Sequence, residues 1–478
     1  MKPLSASLVT VLSGILLLSG CAPVGPKYDP PKVTTPAAYK EHPAGAELLQ
    51  PAQPADHARR PAWWEVFGDT RLNDLEARLV ASNPTLAQAE ARYRQARALV
   101  RQNRAQFFPT VGVGASIDRG RPSSRQGGSV GTSTSAFTQY SLTADAAWEA
   151  DFWGRIRQTV SATVATAQAT AGDRETTHLS LSAELALDYY QLRSLDAELT
   201  LLHGTIDAYQ KSYTLTQNQY NAGIVARADV SQAETLLEAA RAQEVDVRLQ
   251  RAQVEHAIAI LTGEPPSALT LDALPLAGDP PQIPSELPSR LLERRPDIAA
   301  AERRVAAANA EIGVATAAFF PTISLNASGG FQTTRLQQLL SWPSGFWSVG
   351  PALALTVFDA GARRAAKDRA IGAYEETVGA YRQTVLSAFA DVEDNLVAER
   401  LLSEEAQRQQ AAVAAAQRAL DISLNQYRAG LVSYLQVAIG QQTLLNNQRA
   451  EVSVAARRYA AAVQLIRALG GGWDGKLE

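Results

Sequence analysis

The clearest pattern in the chain is a heptad seam. Leu192, Leu195, Leu199, Leu202, Ile206, Tyr209 and Tyr213 recur at alternating steps of three and four, the spacing of a helix coiled on its neighbours. No proline falls between Gly154 and Asn221, so the pattern predicts one helix over 154–221, about 100 Å long at 1.5 Å per residue. A helix of that length does not fit inside a globular domain; it must project. Beyond a short turn, Val230, Ala233, Leu237, Ala240, Val247, Val254, Ile258 and Leu261 mark a returning helix over 229–262, about 50 Å long. A leading helix over 83–108, about 40 Å, completes the set.

Between the leading and long helices the period changes to two. Val111, Val113, Ala115 and Ile117 alternate with Thr110, Gly112, Gly114 and Ser116; Tyr140, Leu142, Ala144, Ala146 and Trp148 alternate with Ser141, Thr143, Asp145, Ala147 and Glu149. Strands are predicted at about 109–118 and 138–151. Each is long enough to cross a bilayer when tilted. Aromatics gather at the strand ends. Phe107, Phe108, Trp148, Phe152, Trp153, Phe319, Phe320 and Phe358 define one rim, and Tyr140, Phe331, Trp342, Phe346 and Trp347 the other. Such girdles mark membrane interfaces, although a soluble sandwich with aromatic corners shares the pattern. The polar loops 118–137 and 333–346 would be extracellular.

The whole plan occurs twice. The stretch from Asn83 through "FFPT" returns from Arg295, 212 positions on, and "QYNAGIVARADV" from Gln219 returns as "QYRAGLVSYLQV" from Gln426, 207 positions on. The first repeat therefore spans 63–262 and the second 295–469. The second should hold strands at about 321–332 and 346–358, a long helix over 361–428 and a return helix over 433–469. Prolines in 263–294 forbid a continuous helix and suggest a belt segment; 470–478 form a tail. Four strands in lipid would leave two unpaired edges, which hydrocarbon does not tolerate. Three chains supply twelve strands and twelve helices, one helix continuing from each strand.

Composition narrows the function. The net charge is -3, with acids and bases interspersed, which gives no footprint for nucleic acid. Residues 1–20 read as a signal peptide, with Lys2 before an apolar run too short for a membrane span. That run ends Leu18-Ser19-Gly20-Cys21, which resembles the lipobox of bacterial lipoproteins. The resemblance implies cleavage before Cys21 and acylation of it, with 21–62 as a lipidated extended tail; an ordinary exported protein with an incidental cysteine is the competing reading. Cys21 is the chain's one cysteine. The five histidines show no metal spacing, and Asp145, Glu149 and Asp151 fall on the polar strand face as solvated charge. No catalytic residue, metal or cofactor is expected, apart from the acyl and diacylglycerol groups on Cys21.

"CAPVGPKYDPP", "WWEVFGDTRLNDL", the two "FFPT" turns, "DFWGRIR" with "FDAGARR", the two "QY-x-AG" turns and "ALGGGW" together resemble the outer-membrane factor family, the TolC-like efflux ducts, and especially its NodT-type lipoproteins. The resemblance implies a mainly α fold with a membrane β-barrel. In it, a homotrimer forms a twelve-stranded barrel in the outer membrane, continuous with a twelve-helix periplasmic tunnel. Its implied partners are a periplasmic adaptor and an inner-membrane transporter of the RND type. The turns Asn221-Ala222-Gly223 and Arg428-Ala429-Gly430 would meet the adaptor, though each is also a good helix-hairpin turn. Asp229 and Tyr427 match a closing latch. The family carries acids at the constriction, where this chain has Leu435, Gln436 and Ile439, so closure here would be by apolar contact. The rival architecture is the efflux adaptor lipoprotein itself, which also has a long helical hairpin but lacks duplicated hairpins and membrane strands.

Overall fold

The computed structural model describes residues 23–36, 39–40, 62–121, 135–276, 278–281, 283 and 294–471. The predicted signal peptide, Cys21 and most of the tail lie outside the described residues, as does 122–134 of the first strand loop. In chain order the elements are α1 (Thr70–Ser82), α2 (Pro84–Arg104), β1 (Thr110–Gly120), β2 (Phe137–Glu149), α3 (Arg155–Asn221), α4 (Arg227–Leu261), α5 (Pro296–Ala317), β3 (Thr322–Thr333), β4 (Gly345–Ala354), α6 (Ala362–Arg428) and α7 (Tyr434–Ala468). They divide into two compact units. The first comprises residues up to 32, 92–170 and 300–381; the second comprises 33–91, 171–299 and 382 onward.

The first unit holds an antiparallel sheet in the order β1-β2-β3-β4. Its register keeps like with like. Val113 faces Ala144, Ala144 faces Gly329 and Ala327 faces Val349, while Ser116 faces Ser141, Asp145 faces Ser328 and Ser328 faces Ser348. Because side chains alternate along a strand, one face is apolar over most of its length, turning polar only at Arg119, Thr138 and Thr333 near one end, and the other is mainly polar. Hydroxyl pairs lace the polar face, with Ser116 and Ser141 at 2.8 Å and Ser328 and Ser348 at 3.0 Å. The apolar face lies open: Val111, Val113, Ile117, Trp347 and Leu353 are each about two-thirds or more exposed. β4 stops at Ala354, short of the expected 358. Its partner β3 begins only after Pro321, which has no N–H to pair with, so Leu355 to Phe358 run on without a strand neighbour among the described residues.

The N-terminal segment also belongs here. Val24 N donates to Trp153 O at 3.0 Å, Asn309 Nδ2 donates to Pro26 O at 3.3 Å, and the Tyr28 hydroxyl bonds Glu302 of α5.

The second unit is built on the predicted seams. Leu192, Leu195, Leu202 and Tyr209 of α3 are buried, as are Val230, Ala233, Leu237, Ala240 and Val247 of α4. Charged side chains of these helices, themselves ion-paired, hold the backbone of the 269–276 segment by hydrogen bonds. Arg251 Nε meets the fully buried Asp196 at 2.6 Å and Arg251 Nη2 donates to Leu271 O. Asp196 also accepts from Leu274 N, while Arg193 Nη1 donates to Leu274 O and Leu276 N donates to Arg193 O. With every charge paired and hydrogen-bonded, the burial of Asp196 is tolerated.

The expected single helix over 83–108 is broken at both ends. Asn83 Oδ1 accepts from Thr85 N and Leu86 N, capping α2, and Pro84 occupies the first helical position. At the far end the chain tightens into a 3₁₀ turn over Ala105–Phe107 before the Pro109 breaker. The sequence pattern assigns no element to 70–82. There Asp69 caps α1 by accepting from Arg71 N and Leu72 N.

α1 buries Leu72, Leu75, Leu79 and, unexpectedly, Glu76. Among the described residues neither carboxylate oxygen of Glu76 has a hydrogen bond of full geometry, although the Ser182 hydroxyl lies close by. Burial pushes its pKa from the ordinary 4.5 up to about 8, and the nearby Ser182 hydroxyl opposes part of the rise. A raised folded-state pKa means the neutral acid is favoured. Its stabilisation is complete below the unfolded value and is lost as pH rises through about 8. Between about pH 5 and about pH 9 the wild type should lose thermal stability relative to Glu76→Gln. Parallel unfolding midpoints for the two across that range would contradict this.

Candidate functional site

The two helix turns of the second unit are near copies. Ile224 N donates to Gln219 O and Gly223 N to Tyr220 O; Leu431 N donates to Gln426 O and Gly430 N to Tyr427 O. Each pair of bonds is a Schellman cap, which needs a left-handed residue after the helix. Gly223 and Gly430 supply it at φ 71° and 73°. α4 and α7 then start at Arg227 and Tyr434 behind Ala226 and Ser433. Asn221, Ala222, Arg428 and Ala429 are exposed around these glycines. The residue after each glycine is apolar and open to solvent, Ile224 at 71% and Leu431 at 74%.

Behind the turns lies a shared core. Tyr209, Leu237, Leu420, Tyr427, Tyr434 and Val437 pack together from α3, α4, α6 and α7. The rings of Tyr427 and Tyr434 meet edge-on at 5.5 Å. The Tyr427 hydroxyl donates to Gln219 Oε1 at 2.6 Å and lies 3.4 Å from Thr216 Oγ1. A second tie runs from the Tyr434 hydroxyl to Gln441 Oε1 at 3.1 Å, and from Gln441 Nε2 to Ser212 Oγ at 2.9 Å. Thus α6 and α7 are each bonded to α3 through a buried polar side chain.

Within one chain the Tyr427 hydroxyl donates to Gln219 Oε1, and the expected latch partner Asp229 accepts no bond from it there. Burial raises the Tyr427 pKa, Thr216 opposes the rise, and the Asp229 carboxylate adds to it only through space. Asp229 sits in the first turn of α4, where a negative charge is favoured by the helix dipole. The expected constriction residues are placed together on one face: Leu435 and Ile439 are each 53% exposed and Gln436 is exposed beside them. The opposite face of α7, with Tyr434, Val437, Ala438 and Gln441, is buried.

Gln219, Ser212, Thr216 and Gln441 were not singled out from sequence. Two signals were available. Gln219 and Tyr427 belong to the same repeated "QY-x-AG" motif, the glutamine of one copy meeting the tyrosine of the other. Gln441 is a polar residue on an otherwise apolar seam, a position that calls for a buried partner.

The family model described as outer membrane efflux protein matches residues 77–264 and again 287–471. The chain belongs to this outer membrane efflux protein family. The toluene efflux pump outer membrane protein TtgC of Pseudomonas putida is 33% identical, over 98% of this chain and 96% of its own. The pyoverdine export outer membrane protein OpmQ of Pseudomonas aeruginosa is 32% identical, over 98% of this chain and 97% of its own. The solved outer-membrane channel OprN superposes with a TM-score of 0.85 at 32% identity, covering 94% of this chain and 99% of that one. This efflux protein is therefore an outer-membrane exit duct that reaches into the periplasm, its four strands one chain's share of a trimeric barrel. The adaptor reading has no support in these matches.

Gln219→Ala would leave the buried Tyr427 hydroxyl without its acceptor. It should cost about 1–3 kcal/mol of unfolding free energy, whereas Asp229→Ala should change it by about 0.5 kcal/mol or less. Denaturant unfolding of the two variants checks the order. Equal losses, or a larger loss for Asp229→Ala, would contradict the Gln219–Tyr427 tie.

Proposed function

We propose that three copies of the chain form a passive duct, which receives small organic molecules through a periplasmic adaptor from an inner-membrane RND transporter and releases them outside the cell. The observation that carries this reading is the sheet, with one face mainly apolar, one mainly polar and both edges unpaired among the described residues. An eight-stranded barrel is filled by its own side chains, so twelve strands from three chains leave a lumen. The duct does no chemistry; its energy comes from the transporter. Relatives at similar identity are named for toluene in one case and pyoverdine in another, which fits a conduit whose selectivity is set upstream. Acylation of Cys21 would tether the tail at the outer membrane.

The turns are the docking end. Ile224 and Leu431, flanked by Asn221, Ala222, Gly223, Arg428, Ala429 and Gly430, offer two similar apolar knobs per chain, six in a trimer. Cysteine placed at Asn221 or Arg428 and treated with a short crosslinker in whole cells should capture the adaptor, and Ile224→Asp with Leu431→Asp should abolish both capture and efflux. Adaptor captured equally well by the double variant would remove the turns from the docking role.

Leu435 and Ile439 point away from the shared core on one face of α7. Three copies around an axis would form an apolar ring that closes by contact and dewetting, with Gln436 adding no charge. In planar bilayers Leu435→Ser with Ile439→Ser should raise the resting conductance severalfold. Leu435→Asp should additionally bring a cation preference that the wild type lacks. A resting conductance unchanged in the double serine variant would contradict the apolar gate.

A further inference from the structure

A cavity of about 480 Å³ opens between α3, α6 and α7, beside the Gln441 tie. Its walls are mainly apolar, with Leu215, Leu420, Leu424 and Leu444, and its volume falls in the range of small-molecule sites. Two features separate it from an incidental packing gap. Among the described residues no acid lines the cavity, whereas Lys211 and Arg428, both exposed, do. Finally, Gly204 interrupts the interior of α3 where a Cβ would meet nothing within 4 Å. Glycine there weakens the helix relative to alanine, and what it leaves is open space along the cavity wall.

From the cavity, its apolar walls and its two cations, we propose that this is a binding site for a small amphipathic anion, an apolar chain or ring bearing a carboxylate or similar acceptor group. The apolar body fills the leucine-lined space, and the exposed Lys211 and Arg428 supply the charge that holds the anionic group. A molecule seated there touches α3 of one repeat and α6 and α7 of the other, the same helices that the Gln219–Tyr427 and Ser212–Gln441 bonds join. Occupancy would therefore hold the two hairpins together and oppose their separation. The site is defined by this chain's own residues and does not depend on the duct reading.

The test uses the full-length trimer in a neutral detergent with undecanoate carrying a photoreactive diazirine at its far end. Adducts are mapped by peptide mass spectrometry, with excess undecanoate or its methyl ester as competitor. Saturable labelling is expected on the peptides holding Leu424 or Leu444, displaced by the acid and not by the ester. Gly204→Leu fills the cavity while improving helix propensity and should abolish the labelling with the unfolding midpoint maintained. Lys211→Gln with Arg428→Gln should weaken labelling by at least about threefold, the scale of losing two exposed charge contacts. Labelling confined to strand peptides, labelling that persists in Gly204→Leu, or equal competition by the ester would each overturn the proposal. Conductance of the same preparations is scored separately, so failure here leaves the duct reading standing.

Discussion

The structure depends on one constraint: backbone N–H and C=O groups at the edge of a sheet cannot be left unpaired in hydrocarbon. β1 and β4 are the two edges of the four-stranded sheet, and its apolar face, with Val111, Val113 and Trp347 exposed, is a surface for lipid rather than for a protein core. The run from Leu355 to Phe358, past the reach of β3, extends the open edge further. The edges can be satisfied only by other copies of the chain. Trimerisation is thus a condition for residing in the membrane at all, and everything attached to the strands inherits it.

Duplication solves the geometric part of the problem and creates the chemical part. Each repeat supplies two strands, a long helix and a return helix, which gives a repeating wall from a single gene product. Two identical hairpins would meet as equals. Here they do not. The motif glutamine of the first repeat serves the motif tyrosine of the second, while Arg227 in the first repeat stands where Tyr434 stands in the second. Divergence at these few positions turns a symmetric contact into one with a buried polar tie on one side, and it leaves the cavity beside Gln441 on that same side.

Most of the architecture was legible because it rests on period. A seam from Leu192 to Tyr213 and alternation from Tyr140 to Trp148 are long enough that local exceptions do not obscure them. What was missed lies where tertiary context overrides period. α1 is short and places Glu76 among its buried leucines, so its apolar face reads as broken. Asn83 ends one helix and caps the next within a single residue, which the pattern merges into one. At the turns, the Tyr427 partner could not be chosen by spacing. Asp229 is the stronger acceptor by charge, but Gln219 is the one that the packing of α3 against α6 brings within 2.6 Å.

The central claim is that the chain cannot hold its sheet in a membrane alone. Native mass spectrometry of the protein released from membranes into neutral detergent tests it most directly, paired with circular dichroism before and after heating. The account predicts a complex of three chains that comes apart only on heating and loses its β signal as it does so. A stable single chain that retains its strand content in detergent would contradict it.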